Sequence, residues 1–542
     1  MARAAPLDEK CEKCGLDRCR RTGLKRSEGR TNSNDKLRNH AEKMIKNKTM
    51  KPLFFILALL PFFQALAEPV ALGSRRELFV DRLLIDQLDQ AALTLHAPRS
   101  AGVALKFDKP WEGRFSGYIT VLHDAERKLF RMYYRGTPTL PTSSNKSEYT
   151  CYAESTNGRV WIKPNLGLHE AFGTKDNNIL LAGDPIATHN FAPFLDTNPA
   201  APPEQRYKAL SGLGGKGGGL RAWSSADGLK WTKLREEPVL SKGAFDSQNV
   251  AFWSAEEKCY VAYFRVFTGG GTDEKTWQPK GVRWVSRSTS TDFVNWAPAV
   301  MMQCDQPLVD HIYVSQTQPY FRAPHIEIAT AARFMQGKSS LDETAKNYMA
   351  DDANAYTALF SDTSEAVLMS SRAGSCLYNR TFMEAFVRPG LHFRNWTSRA
   401  NYPACGLIQT GKSELSLFVQ RHYGQGVNLV ERCTLRLDGF ASLHAGYKGG
   451  RMITKPLTFT GKALHLNFAT SAAGHVAVEV QDENGTPIPG FTLEDCVAQS
   501  YDDIDRVIRW KSGSDVSALA GKPVRLRFDL RDADVFSFWF AP

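Results

Sequence analysis

Between residues 116 and 437 the chain alternates short apolar runs with polar turns. These runs lack the i, i+3, i+4 apolar spacing that a helical solenoid would show. Five of them open polar and turn apolar, at 116–121, 189–194, 246–253, 315–320 and 401–408. Each precedes a second run with strand character: 130–135 (FRMYYR), 206–210 (RYKAL), 260–265 (YVAYFR), 326–333 (IEIATAAR) and 415–421 (LSLFVQR). A degenerate repeat punctuates them, with Asn157-Gly158 before Trp161, Asp227-Gly228 before Trp231, and Asp292 before Trp296. A weaker copy surrounds Gly374. Physically, a strand ends, an Asx turn reverses the chain, and an aromatic ring packs back under the turn. The tryptophans are 70 and 65 residues apart, enough for four strands each. A single β-sandwich cannot use so long a segment, so the pattern predicts a five-bladed β-propeller over 68–442.

After Leu437-Asp438-Gly439-Phe440 the pattern changes to clean alternation, as in Leu464-His-Leu-Asn-Phe468 and Val476-Ala-Val-Glu-Val480. Turn signals recur at short intervals, which predicts a small antiparallel β-sandwich over 443–542. The expected fold class is therefore all-β, a propeller followed by a sandwich.

Composition agrees with this: 42% hydrophobic, 23% charged and 11% aromatic positions belong to a folded chain, not a disordered one. The net charge of +11 is misleading. Residues 1–49 hold 14 Lys/Arg against 7 Asp/Glu, and 68–542 keep an excess of only +3. A nucleic-acid partner is not expected on that basis.

From Met50 the chain reads Met-Lys, then an apolar run 53–63, then Ala65-Leu66-Ala67 before Glu68, the form of a secretory signal peptide over 50–67. The run falls short of the roughly 20 residues of a membrane span, so no membrane association is expected after cleavage, an uncleaved anchor being the alternative. The location expected is periplasmic or extracellular. Residues 1–49 read as a non-native or disordered leader, and Cys11, Cys14 and Cys19 there lack the fourth ligand a zinc site wants. Seven cysteines follow Ala67, an odd number without close pairs, and no disulfide framework is read from them.

Several segments resemble the five-bladed propeller glycoside hydrolases of the β-fructosidase, arabinanase and β-xylosidase type. More closely they are similar to exported bacterial propellers related to the β-fructosidase catalytic domain. They are Glu77-Leu-Phe-Val-Asp81, Trp111-Glu-Gly, Phe245-Asp-Ser-Gln-Asn249, Arg322-Ala-Pro-His325, Glu384-Ala-Phe-Val-Arg-Pro-Gly390 and Asn401-Tyr-Pro-Ala404. Pro489-Gly-Phe-Thr-Leu-Glu494 and Trp510-Lys-Ser-Gly-Ser-Asp515 resemble the accompanying sandwich. The Asn-Asp-Pro-Asn and Arg-Asp-Pro motifs of true β-fructosidases are missing, so the fold transfers more safely than the substrate.

The resemblance implies a carbohydrate substrate and acids from different blades in a central funnel. Glycoside hydrolysis needs two opposed carboxyl groups. Asp246 opens the third inner run and is the first candidate; a turn cap is the competing role. Glu384 is the second, its apolar neighbours suiting a general acid unless Arg388 pairs with it. Asp310 is taken for the third role ahead of Asp196 and Glu112, and Asp81 is read as structural, holding the strand that closes the ring. For substrate binding the candidates are His189, Asn190, Gln248, Asn249, Gln316, Arg322, His325, Arg388 and Asn401. Arg322 with His325 suits a carboxylate or sulfate, and Trp111, Tyr118 and Tyr402 suit sugar stacking.

Gly212-x-Gly214-x-x-Gly217 matches a dinucleotide fingerprint in form but joins two strands, so it reads as a hairpin loop. Neither Gly-x-Ser-x-Gly nor His-Glu-x-x-His occurs. No cofactor or metal is expected, a structural calcium in the channel being the one ion left open. The leading expectation is an exported glycoside hydrolase acting on a poly- or oligosaccharide. A non-catalytic glycan-binding propeller is the alternative, and a lyase on the same architecture a third reading. Oligomeric state is not legible.

Overall fold

The computed structural model describes residues 68–138, 148–215, 218–273, 275–350 and 357–542. The expected leader, the expected signal peptide and Gly217 lie outside the described residues.

Five antiparallel sheets form the blades. The first is Gly117–Asp124, Leu129–Gly136, Tyr149–Ser155 and Ile179–Leu181; the second is Ala192–Leu195, Tyr207–Leu213, Gly219–Ser225 and Thr232–Lys233. The third is Val250–Ser254, Cys259–Thr272, Trp277–Ser290 and Val300–Met301. In the fourth, His311–Val314 and Thr317–Tyr320 together make the inner edge against Ala323–Met335, which pairs with Thr363–Arg372. The second strands read as continuous apolar and aromatic runs because neighbouring blades cover both of their faces; Leu129–Gly136 is buried at all but its first residue.

The Asx repeat folds alike in three blades. Ser155, Ser225 and Ser290 each accept two backbone N–H bonds through Oγ, while Asn157, Asp227 and Asp292 each accept two more through Oδ1. The left-handed position that follows is filled by Gly158, Gly228 and, in the third copy, Phe293. Trp231 and Trp296 return their indole N–H to the carbonyls of Gly228 and Phe293 at 3.1 and 3.2 Å. Each turn is thus tied internally, and it packs against the preceding blade: Trp161 on Phe418, Trp231 on Tyr133 and Phe293 on Phe194.

The fifth blade contains Ile408–Gln409, Glu414–Arg421 and Leu429–Arg436, but its outer strand is Arg99–Lys106, from before the first blade. This closes the ring, leaving no strand edge between its ends. The boundary expected at 68 therefore shifts. The strands Val70–Gly73, Glu77–Leu78, Ile85–Asp89 and Ala91–Leu95 pair with C-terminal strands instead of joining the propeller. Asp81 is structural as expected, but its bonds go to Arg372 of the fourth blade and to the turn before Ile85, not to the ring-closing strand.

The C-terminal module has two layers that share two long strands, Ala463–Asp482 and Val524–Ala541. Their register breaks between Thr470 and His475, where the pair passes from one layer to the other. Leu464, Leu466, Phe468, Phe538 and Phe540 of one half face Val476, Val478, Val480, Leu526 and Phe528 of the other in a single core. Asp438, fully buried, fastens this module to the propeller: it bonds Tyr320 at 2.7 Å and Ser537 at 2.7 Å and pairs with Arg76 and Arg322. All seven described cysteines are free.

Candidate active site at the propeller mouth

The inner strands begin around one end of the ring axis, and their first residues are held in unusual backbone conformations. Tyr118, Asn190, Gln316 and Asn401 occupy matching positions in four blades, all with φ between 51° and 68°. Such left-handed non-glycine residues persist only where the surroundings fix them, and they gather at functional sites. Two inner strands also carry bulges there. Register is lost between Gly117 and Thr120, around Tyr118, and between Ile312 and Val314, which leaves Tyr313 as the extra residue. A bulge re-aims a side chain, and both of these tyrosines enter one cluster with Tyr402.

Arginines surround that cluster. The Arg135 guanidinium lies 4.5 Å from the Tyr118 ring, and Arg265, Arg283 and Arg399 lie 4.6, 5.5 and 5.6 Å from the Tyr313 ring. Tyr313 and Tyr402 stand 5.4 Å apart between ring centres. Arg265 pairs with Asp246, Arg135 with Glu148 at 3.7 Å, and Arg421 with Glu431 at 2.7 Å. Arg283 bonds only neutral acceptors, His311 and Gln336, and the Arg399 guanidinium has no acceptor among the described residues. Neither of these two has a carboxylate partner among the described residues. Several buried polar atoms at the mouth have no hydrogen-bond partner among the described residues: Nε and Nη1 of Arg265, Nε of Arg399, Oη of Tyr402, Nε2 of His189 and Nδ2 of Asn190.

The tyrosines respond in opposite directions. Burial opposes ionisation of Tyr313, but Arg399, Arg265 and Arg283 outweigh it and its hydroxyl is pushed down to about 7. Tyr402 and Tyr118, buried and beside Tyr313, are pushed well up.

The five amides expected to meet sugar hydroxyls are instead bonded within the protein, two of them across the channel. Gln248 donates to Thr120 at 2.8 Å, and Gln316 donates to Gln248 at 2.7 Å and to the Pro403 carbonyl at 3.0 Å, joining four blades. Asn249 holds its own loop, and Asn401 donates to the Ser364 and Asn395 carbonyls. Asn190 accepts from Arg135, and His189 lies 2.8 Å from Glu148; both keep a nitrogen free. Arg322 and His325 lie elsewhere: they face Asp438 and Glu77, where the two modules meet. Arg388 is exposed, and its side chain makes no hydrogen bond or ion pair among the described residues. Trp111 is buried and donates to Asn178, so it is core, not a sugar platform.

Of the three acids expected to act together, only Asp246 is at the mouth, 43% exposed and paired with Arg265. Asp310 is held by Arg380 at 2.8 Å and Arg333 at 3.4 Å. Glu384 is exposed, and neither Arg388 nor any other described residue pairs with it. Asp196 is bound by Lys208, and Glu112 by Lys163 and Tyr134. No contact brings two of these carboxyls together. The arginines are what residue reading missed: Arg135, Arg265 and Arg421 are signalled by the arginine that ends their second strands, whereas Arg283, in the third strand Trp277–Ser290, and Arg399, in a turn, carry no such signal.

The channel opens at its other end as a cavity of about 460 Å³ between all five blades, lined by apolar residues such as Val121, Leu195, Phe252, Phe321 and Ile408. A second cavity, about 660 Å³, lies between the fifth blade and the C-terminal module beside Arg436 and Phe536. The first is mainly apolar, and the second is lined by His96, Arg99, Glu414, Arg436 and Asp502, with Arg436 and Asp502 already paired. Among the described residues no cluster of His, Cys, Asp or Glu has the makings of a metal site.

No family model matches the chain. No curated protein matches it in sequence. Solved structures do resemble it. A glycoside hydrolase shares 12% identity over 65% of this chain and 95% of its own, at a TM-score of 0.41. An N-acetylgalactosamine deacetylase from F. plautii, in complex with blood group B trisaccharide, shares 12% over 64% and 96%, at 0.39. A fructofuranosidase from Schwanniomyces occidentalis, complexed with fructose, shares 11% over 85% and 97%, at 0.31. Overlaps of this size leave substrate and chemistry to be argued from the site itself.

Proposed function

We propose that this protein is an exported carbohydrate-active propeller whose mouth binds and cleaves an acidic glycan, one bearing carboxylate or sulfate groups. One observation carries the reading: Arg265, Arg283 and Arg399 converge on Tyr313, two of them without a carboxylate partner, at the entrance of the inner strands. Guanidinium forks suit carboxylate and sulfate oxygens, and partly desolvated ones bind them most strongly. Trp277 supports it further, since its exposed ring lies over Gly214 at the rim and offers a face on which a sugar can stack. Export rests on the 50–67 segment.

Cleavage by hydrolysis would use Asp246 as the carboxyl acid. A binding role without cleavage is the second reading, favoured by the ion pairing of Asp246, Glu148 and Glu431 alike. The test is calorimetric titration of the purified protein with polygalacturonate, heparin and neutral arabinan, followed by chromatography of the products. Binding of the acidic polymers, weakened by salt and by Arg399→Ala, is expected. Equal affinity for neutral arabinan would sink the reading, and binding without released sugar would select the second one.

A further inference from the structure

Resting on the acidic-glycan reading, we propose that Tyr313 and Tyr402 are the proton-transfer pair of the mouth, carrying out β-elimination on a 4-linked uronosyl residue. The sugar carboxylate docks on Arg283 and Arg399. Tyr313 then takes the proton from the adjacent carbon, and Tyr402 protonates the departing glycosidic oxygen.

The geometry supplies each part. The bulge at Tyr313 turns its ring toward Arg265, Arg283 and Arg399 on neighbouring elements. Arg283 and Arg399 are partly exposed, so an incoming carboxylate meets them before it meets Tyr313, whose own exposure is 6%. Guanidiniums on that carboxylate stabilise the negative charge that develops when the neighbouring C–H is broken. Tyr402 is 5.4 Å from Tyr313 between ring centres, and its hydroxyl has no hydrogen-bond partner among the described residues, which leaves its proton to be donated. The two environments also push apart, Tyr313 toward the ionised form and Tyr402 toward the protonated one, the pattern that distinguishes base from acid. Hydrolysis by opposed carboxyls has no comparable pair here.

The step balances without a co-reactant. The C5–H bond breaks and its proton passes to the Tyr313 oxygen; the electron pair left on carbon forms the C4=C5 double bond. The C4–O4 bond breaks, and the O4 oxygen takes the Tyr402 proton. Solvent then removes the proton from Tyr313 and returns one to Tyr402.

The test incubates the full chain with polygalacturonate, alginate and heparin. It follows both the ultraviolet absorbance of the C4=C5 unsaturated uronate and the appearance of reducing ends. The two are expected to rise together. Tyr313→Phe and Tyr402→Phe are each expected to lower kcat by about a hundredfold or more while binding changes little. In wild type and in Tyr402→Phe, ultraviolet difference titration should show a tyrosinate forming with a midpoint near 7, which Tyr313→Phe removes. The wild-type kcat/KM should rise with pH through the same midpoint, a check that needs no variant to fold. Reducing ends without unsaturation, binding without cleavage, or an unchanged kcat in Tyr313→Phe would each overturn the assignment while leaving the acidic-glycan reading in place. Failure to bind any of the three polymers would remove that reading itself.

Discussion

Glu327 offers a quantitative test of how the fourth blade packs on the third. Its carboxyl lies on the second strand of the fourth blade, 1% exposed, and accepts a 2.5 Å hydrogen bond from Tyr263 of the third. Its other oxygen has no partner. Burial pushes the carboxyl up to about 7, against the opposing pull of Tyr263 and Arg287. In the unfolded chain it ionises in the ordinary range for glutamate. Between those two values the folded protein holds a proton that the unfolded chain has released, so stability falls as pH rises and levels off above about 7. At about 1.4 kcal/mol per pKa unit, a shift of about 2.5 units costs about 3 kcal/mol at pH 8 relative to acid conditions. Glu327→Gln keeps an oxygen for Tyr263 and removes the titration. Urea unfolding at several pH values should find the variant more stable than wild type by about 3 kcal/mol at pH 8, with the gain vanishing below about pH 5. A variant less stable than wild type at pH 8 would mean that Glu327 is ionised and held by Arg287, and the reasoning would fail.

Other expectations follow from the same structure. Asp438→Ala strands Arg76 and Arg322 between the propeller and the C-terminal module, and should cost about 3–5 kcal/mol in chemical denaturation; a change under about 1 kcal/mol would refute its role as the fastener. Ser225→Ala removes one of the Asx-turn acceptors and should cost about 1 kcal/mol by thermal unfolding, an effect absent if that turn is idle. Asp246→Asn removes the carboxylate that competes for Arg265, so calorimetry should find an acidic glycan bound more tightly. Asp246 acting as a hydrolytic acid predicts instead about a hundredfold loss of turnover with binding retained.

The propeller was legible because its signals are local. The run that opens polar, the aromatic second strand and the Asx turn all lie within three consecutive antiparallel strands, and Ser225-Ala-Asp227-Gly228 folds on hydrogen bonds spanning two or three residues. Ring closure was not legible: the partner of Leu429–Arg436 is Arg99–Lys106, and nothing in either strand encodes a pairing across more than three hundred residues. The N-terminal strands of the C-terminal module escaped notice for the same reason. The site divides likewise. Asp246 was found at a strand entrance, but its pairing with Arg265 depends on how the loop folds back over the second strand. Gln248, Gln316 and Asn401 looked like sugar contacts because an amide reads the same whether it faces a ligand or another blade. The arginines closing FRMYYR, YVAYFR and LSLFVQR were in view throughout as strand endings; only the ring turns them toward one axis.

The contrast between buried arginines is what makes the mouth informative. Several arginines outside the mouth are held by carboxylates: Arg372 by Glu77 and Asp81, Arg380 by Asp310, and Arg76 and Arg322 by Asp438, while Arg131 packs against the Tyr152 and Tyr207 rings. Burying a guanidinium without such a partner is costly, and an apolar residue in its place would be cheaper for the fold. Arg283 and Arg399, both half-buried, lack a carboxylate partner among the described residues and lie side by side over the same ring. The expense is concentrated where four inner strands begin in strained conformations and where two bulges turn tyrosines inward. Strain, orphaned donors and unmatched positive charge have separate physical origins, and at the mouth they meet. A ligand that brings its own negative charge accounts for all three: it neutralises Arg283 and Arg399, accepts the free N–H groups, and requires the backbone to hold Tyr313 where that charge arrives.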